Sequence, residues 1–223
     1  MNYFAGAIRE NGLSAMNSDA LMVKTLRTKD KRNLSVLAIC TDESAERRTA
    51  FNRLFAGHVR KSIAACTNRM IRAAEELVED PGDGSGKELC RRIYYAMAKS
   101  NFRKRKIGIA VLVLLGRDYF VIRSGGSSIY GITRNEIKPL LEGKERNPKK
   151  VFFAASRLTE GTTFLMASKG FTGRLNLDEL QKSLCPQMCA EEGDFYELLD
   201  FLGEKVRSRG GEKPLSAAAL CVK

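Results

Sequence analysis

The run Ile107 to Leu115 (IGIAVLVLL) is apolar at every position except Gly108. A strand of that composition has no water-facing side, so it must be covered on both faces and belongs inside a layered fold. The turn Gly116-Arg117-Asp118 and the apolar residues after it predict that this strand folds back as a hairpin. Within VIRSGGSSIY (Val121 to Tyr130), Gly125 and Gly126 break the second strand before Ile129-Tyr130-Gly131-Ile132 resumes it. That spacing places a tight glycine turn at the end of a buried sheet, where its side chains gather at one spot.

Strand patterns recur at both ends of the chain: Tyr3 to Ile8, Ala20 to Leu26 and Leu34 to Cys40 early, then Ile137 to Leu141, Val151 to Ala155, Thr163 to Ser168 and Leu215 to Val222. Between them the apolar period changes to three or four. From Ala45 to about Val78, Phe51, Leu54, Phe55, Val59, Ile63, Cys66, Met70, Ala74 and Leu77 mark a long helix, or two with a kink near Gly57. A second helix is expected from Lys87 to about Asn101, a third after the cap Asn176 and before Pro186, and a fourth through Phe195, Leu198, Leu199, Leu202 and Val206 to Gly210-Gly211. The pattern predicts an α+β fold, a four-layer αββα sandwich of two mainly antiparallel sheets flanked by helices. With 223 residues and 43% apolar content, a single domain over residues 1–223 is expected.

The formal charge of +12 gathers at Lys24 to Arg32, Arg103 to Lys106 and Lys144 to Lys150, which favours acidic partners or simply solvated loops. No aromatic residues interleave with those basic runs and no nucleic-acid motif accompanies them, which disfavours nucleic-acid binding. No apolar run is long enough to span a membrane, and MNYFAGAIRENG lacks the basic-then-apolar order of a signal peptide, so a cytoplasmic location is expected. The six cysteines (40, 66, 90, 185, 189 and 221) sit mostly in apolar patterns that suit buried thiols. Pro186 separates Cys185 from Cys189, and the sole histidine, His58, lies in a helical apolar stripe. Neither a zinc site nor Ser/His or Cys/His catalysis fits.

Five segments, in order, resemble the metal-dependent protein phosphatases, the PPM or type 2C serine/threonine family. They are Asn17-Ser18-Asp19-Ala20, the strand end Leu37-Ala38-Ile39-Cys40-Thr41-Asp42, Ser124-Gly125-Gly126-Ser127-Ser128-Ile129-Tyr130, Leu165-Met166-Ala167-Ser168-Lys169-Gly170-Phe171, and Gly210-Gly211-Glu212-Lys213-Pro214-Leu215-Ser216. The resemblance implies the same sandwich fold and, in active members, two Mg2+ or Mn2+ ions that activate a water against a phosphoserine or phosphothreonine. It also implies where the ligands would stand. Asp19 and Asp42 keep the acid, whereas Ser18, Gly126, Lys169 and Lys213 replace carboxylates and Ser14 replaces the phosphate-holding arginine.

Two aspartate-to-lysine exchanges make such a pocket four charge units more positive, and a divalent cation within about 4 Å of an ammonium is repelled by several kcal/mol at intermediate dielectric. No catalytic residue, metal or other cofactor is therefore expected, and the Lys169 and Lys213 ammonium groups are expected in the space of the ions, neutralising Asp19 and Asp42. The first functional reading is a pseudophosphatase, a regulatory protein that binds phosphorylated or acidic protein partners. The alternative is a divergent phosphatase with residual Mg2+- or Mn2+-dependent activity, using Asp19, Asp42 and a further acid such as Asp118 or Glu160. A third reading, binding to nucleic acid or a membrane surface through charge alone, rests on composition only.

Overall fold

The structure, a computed structural model, describes residues 3–11, 19–28, 31–42, 65, 68–69, 72, 75–76, 86–98, 107–141, 151–159 and 161–223. Ten strands are described: β1 (Tyr3–Glu10), β2 (Ala20–Arg27), β3 (Asn33–Asp42), β4 (Ile107–Leu115), β5 (Asp118–Ser124), β6 (Ser128–Ile132), β7 (Ile137–Pro139), β8 (Phe152–Arg157), β9 (Thr162–Ala167) and β10 (Leu215–Val222). Four α-helices with full bounds are described among these residues: α1 (Gly86–Ala98), α2 (Lys169–Thr172), α3 (Leu177–Leu184) and α4 (Glu192–Ser208). Of the long helix expected from Ala45 to about Val78, residues 65, 68–69, 72 and 75–76 are described, and all are helical.

The strands form two five-stranded sheets, ordered β1-β10-β9-β6-β7 and β2-β3-β4-β5-β8, with antiparallel pairing throughout. Their inner faces meet in one apolar layer, where Leu37, Ile39, Leu112 and Val121 of one sheet pack with Phe164, Met166, Leu220 and Val222 of the other. Outside the second sheet, Leu89, Cys90 and Ile93 of α1 cover Val36, Ala38, Val111 and Val113. Outside the first sheet, Leu180 and Leu184 of α3 and Phe195, Leu199, Leu202 and Val206 of α4 cover Leu165, Ala217 and Ala219. This is the expected four-layer αββα sandwich, and β4, buried at all its positions, lies inside it.

The hairpin forms as the sequence predicts. Leu115 pairs with Asp118 across a turn led by Gly116 at φ 62°, a left-handed value at which a side chain is strained. The second glycine turn differs from expectation. Gly125 at φ 90° does not interrupt one strand; it carries the chain from β5 in one sheet to β6 in the other. A local pattern of apolar and glycine residues cannot distinguish a broken strand from a change of sheet, because both require the same bend.

Helix ends follow local chemistry. The Asn176 side chain accepts from the Glu179 backbone N–H (2.8 Å) while the Glu179 carboxylate accepts from the Asn176 N–H (3.1 Å), a reciprocal cap that starts α3. Because α3 ends at Leu184 and Pro186 begins a short 3-10 turn, Cys185 and Cys189 do not share a helix face. Burial pushes the Cys90 thiol up to about 12, so it behaves as a small apolar side chain.

Glu179 also ties α3 to the last turn of α4. Arg209 Nη1 and Nη2 donate to its two oxygens at 2.7 and 2.5 Å, and Lys205 Nζ lies at 2.8 Å. The Arg209 guanidinium, then Lys205 and the Asn176 N–H, hold this carboxyl well below the usual carboxylate range. A depressed folded pKa contributes stability that is fully present above the unfolded value and is lost as pH falls through the folded one. We therefore expect Glu179→Gln to be less stable than wild type at neutral pH, with the difference shrinking only in the acid range below about pH 4. Denaturant melts of both proteins from neutral to strongly acidic pH check this; a difference that stays constant over that range would contradict it.

Candidate site at the strand tips

Strand directions alone bring most of the singled-out segments to one end of the sandwich. In the second sheet that end holds the start of β2, the close of β3 and the start of β4: Ala20 pairs with Cys40, and Asp42 pairs with Ile107. In the first sheet it holds the start of β6, the close of β9 and the start of β10: Ser128 pairs with Ala167, and Ala167 with Ala217. Asp42 ends β3 at these tips, and just beyond them stand Asp19, Gly125-Gly126-Ser127, Ser168-Lys169 and Pro214, with Lys213 next to it.

Three sets of contacts lock the tips together. Thr41 Oγ1 and Ser127 Oγ form a buried hydrogen bond of 3.2 Å, which joins the end of β3 to the crossover after Gly126, while Arg123 Nη1 donates to the Ser127 carbonyl at 3.2 Å. The Ser168 N–H donates to the Ser216 carbonyl (2.8 Å), and the Ser216 N–H donates back to Ser168 Oγ (3.0 Å). Gly170 then packs on Pro214 so tightly that a Cβ there would lie 2.0 Å from the Pro214 carbonyl oxygen. Lys169 and Lys213 are thus carried by two backbone segments in direct contact.

The loop bearing Lys213 has a further tie, Arg207 on the last turn of α4. Its Nη1 donates to the carbonyls of Gly211 (2.7 Å) and Lys213 (2.9 Å), its Nε to Glu10 Oε2 (3.1 Å) and its Nη2 to the Asn11 carbonyl. One planar guanidinium therefore joins the end of β1 to the approach of β10. Thr41, Ser127 and Ser216 lie inside the segments singled out in the sequence but were not named as site residues, and Arg207 lies outside all of them. Arg207 meets Glu10 across 197 positions, and no local pattern signals a contact at that separation.

Of the candidate acids, Asp19 is buried, with 7% of its surface exposed, and it stands at the tip of β2, across from Thr41 by extension of the register. Asp42 closes the neighbouring β3. Asp118, considered as a further ligand, is elsewhere. It opens β5 at the opposite end, pairing with Leu115 and Arg157, about 20 Å from the tips along a strand of this length. Lys169 opens α2, and both Lys169 and Lys213 are exposed. Ser14, Ser18, His58 and Glu160 lie outside the described residues. Among the described residues, no group of three or more His, Cys, Asp or Glu side chains gathers where it could hold a metal ion, and no helix is long and apolar enough to cross a membrane.

No family model and no curated protein sequence matches the chain. Solved structures do. PppA, described as a key regulatory component of the T6SS in Pseudomonas aeruginosa, superposes with a TM-score of 0.71 at 13% identity, covering 100% of this chain and 99% of its own. This is the PPM phosphatase fold. Serine/threonine phosphatase Stp1 from Staphylococcus aureus matches with a TM-score of 0.67 at 13% identity over 100% of this chain and 96% of that one. The serine/threonine phosphatase PstP of Mycobacterium tuberculosis matches at 0.65 and 14% identity over 99% of each chain. The catalytic domain of PstP has also been solved with 2 manganese ions. Within that fold, the strand tips described here are where the resemblance in sequence places the metal carboxylates.

Proposed function

We propose that the chain is a pseudophosphatase: a single PPM-type domain that keeps the scaffold, lacks most of the metal ligands, and uses its strand tips to bind a phosphorylated or acidic protein segment. The observation that supports this best is the contact of Gly170 with Pro214, which brings Lys169 and Lys213 to one place at the tips. A protonated lysine has no lone pair for a cation, so the two lysines oppose a divalent ion while Asp19 and Asp42 would attract it. That donor set does not fit a pair of hard cations, which need several oxygen ligands each. It suits a phosphate or carboxylate, for which an ammonium is a good point-charge partner. The description of PppA as a regulatory component accords with a role in protein interaction.

The second reading, a divergent phosphatase with residual activity, rests on one observation: Asp19 and Asp42 are retained at the ends of two neighbouring strands, β2 and β3. The two readings separate in a simple pair of assays. With millimolar Mn2+ and an aryl phosphate, we expect turnover no higher than that of Lys169→Ala. In a phosphopeptide panel at moderate salt, we expect binding to exceed that of the unphosphorylated controls and to weaken about tenfold in Lys169→Glu. Turnover above the Lys169→Ala control would establish the enzyme instead, and equal binding of both peptide sets would remove the docking role.

A further inference from the structure

Strand β8 is the edge of the second sheet, and among the described residues it pairs on one side only, with β5. An edge strand presents a row of backbone N–H and C=O groups able to pair with another chain, and proteins usually guard such edges with charge. Here the guard is of one sign. Lys87 Nζ and Arg91 Cζ stand 5.5 and 5.7 Å from the centre of the same ring, Phe153, on β8. Arg123 Cζ lies 5.4 Å from the ring of Phe152, and Arg157 is exposed at the far end of the strand.

The packing of α1 dictates this arrangement. A Cβ at Gly86 would come within 2.3 Å of the Phe120 ring, so the helix start is pressed onto β5, and the Cys90 thiol donates to the carbonyls of Phe120 and Val111 at 3.6 and 3.8 Å. With positions 86 and 90 turned to the sheet, Lys87 and Arg91 fall one step round the helix, over β8. Residues four apart on a helix are neighbours, so two cations there repel each other. Neither forms a salt bridge among the described residues. Among the described residues, the acids next to them in sequence or register are the exposed Glu88 on α1 and Asp118, the Cα partner of Arg157.

We infer that the β8 edge, rimmed by Lys87 and Arg91, is a docking site for an extended acidic polypeptide segment, which adds as a sixth strand and places carboxylates between the two cations. An open strand edge offers backbone groups in register, which a polypeptide matches and a nucleic acid does not. The cations relieve their repulsion when a carboxylate enters between them. Stacking of bases is disfavoured because two cations already crowd the Phe153 ring, which is itself half-buried. This surface is the edge strand of the second sheet, whereas Lys169 and Lys213 flank β9 and β10 of the first.

The test uses a fluorescein-labelled peptide of alternating glutamate and valine, the same peptide with glutamine for glutamate, and an oligo-thymidine of equal length, each titrated by anisotropy into the full chain. The glutamate peptide is expected to bind, with affinity falling about tenfold or more in Lys87→Glu/Arg91→Glu and less in Lys87→Gln/Arg91→Gln. Amide exchange is expected to slow on binding within 153–157. The inference is overturned by any of four results: no binding of the glutamate peptide, equal binding of the glutamine peptide, tighter binding of the oligo-thymidine, or protection confined to residues outside β8. Should the double charge reversal fail to fold, the glutamine pair and the exchange map decide the outcome.

Discussion

Replacing Arg207 by Met should lower the unfolding free energy by about 3 kcal/mol, which for a chain of this size is a fall in Tm of roughly 6–12 °C. The side chain is largely covered, with 23% of it exposed, and its fork donates to the carbonyls of Asn11, Gly211 and Lys213 as well as to the Glu10 carboxylate. Hydrogen bonds from a charged donor contribute about 1.5–3 kcal/mol each when buried and less when wet. The sum here is held down because Glu10 and the loop carbonyls can recover water. Methionine fills much of the same volume, so the loss reports the polar ties rather than a cavity. Arg207→Lys should regain little of it, since an ammonium cannot span the carbonyls on both sides of the cleft. Because the same ties hold Lys213, the Met variant should also weaken phosphopeptide binding. A denaturant midpoint within about 0.5 kcal/mol of wild type would show that the fork is ornamental.

Gly170→Ala should cost a similar amount, about 3 kcal/mol, through the opposite mechanism. The added methyl would lie 2.0 Å from the Pro214 carbonyl oxygen and 3.0 Å from its carbon. Both are backbone atoms, and the segment is pinned just beyond by the reciprocal bonds of Ser168 and Ser216, so it cannot swing aside as a flexible side chain would. Gly161→Ala is the informative comparison. Gly161 has a left-handed φ of 73° but open space around it, so the cost there is conformational strain alone, about 1–2 kcal/mol. If thermal melts find Gly170→Ala no worse than Gly161→Ala, the close approach of the two lysine-bearing segments is not as tight as described.

Both variants act on the same feature, the seating of the Lys213 loop against β1 and α2. They separate two supports of the tips that a single substitution would confuse. One is a set of charge-assisted bonds that salt weakens, and the other is a steric fit that salt does not touch.

How much of this was legible beforehand differs by element. The fully apolar run 107–115 announced a strand covered on both faces, and it lies in the middle of its sheet because no other position removes every side chain from water. The period of three to four through Phe195, Leu199, Leu202 and Val206 marked the helix that covers the first sheet, and all four are buried. Asn176 and Pro186 bounded α3 as their backbone chemistry requires. Such features are local, so a short stretch of chain suffices to specify them.

Three things were decided only when distant segments met. Gly125-Gly126 could be read as a bend but not as a passage between sheets, since the partner of each flanking strand lies elsewhere in the chain. Asp118 is acidic and close in sequence to the glycine turn, yet the length of β5 carries it to the opposite end of the sandwich. The basic runs showed no interleaved aromatics, but α1 and β8, about sixty positions apart, place two cations over Phe153. Periodicity and turn chemistry determined which residues are inside and where the chain bends, because burial and φ preference act residue by residue. Which charges share a neighbourhood depended on strand order and direction, and those follow from the packing of whole sheets.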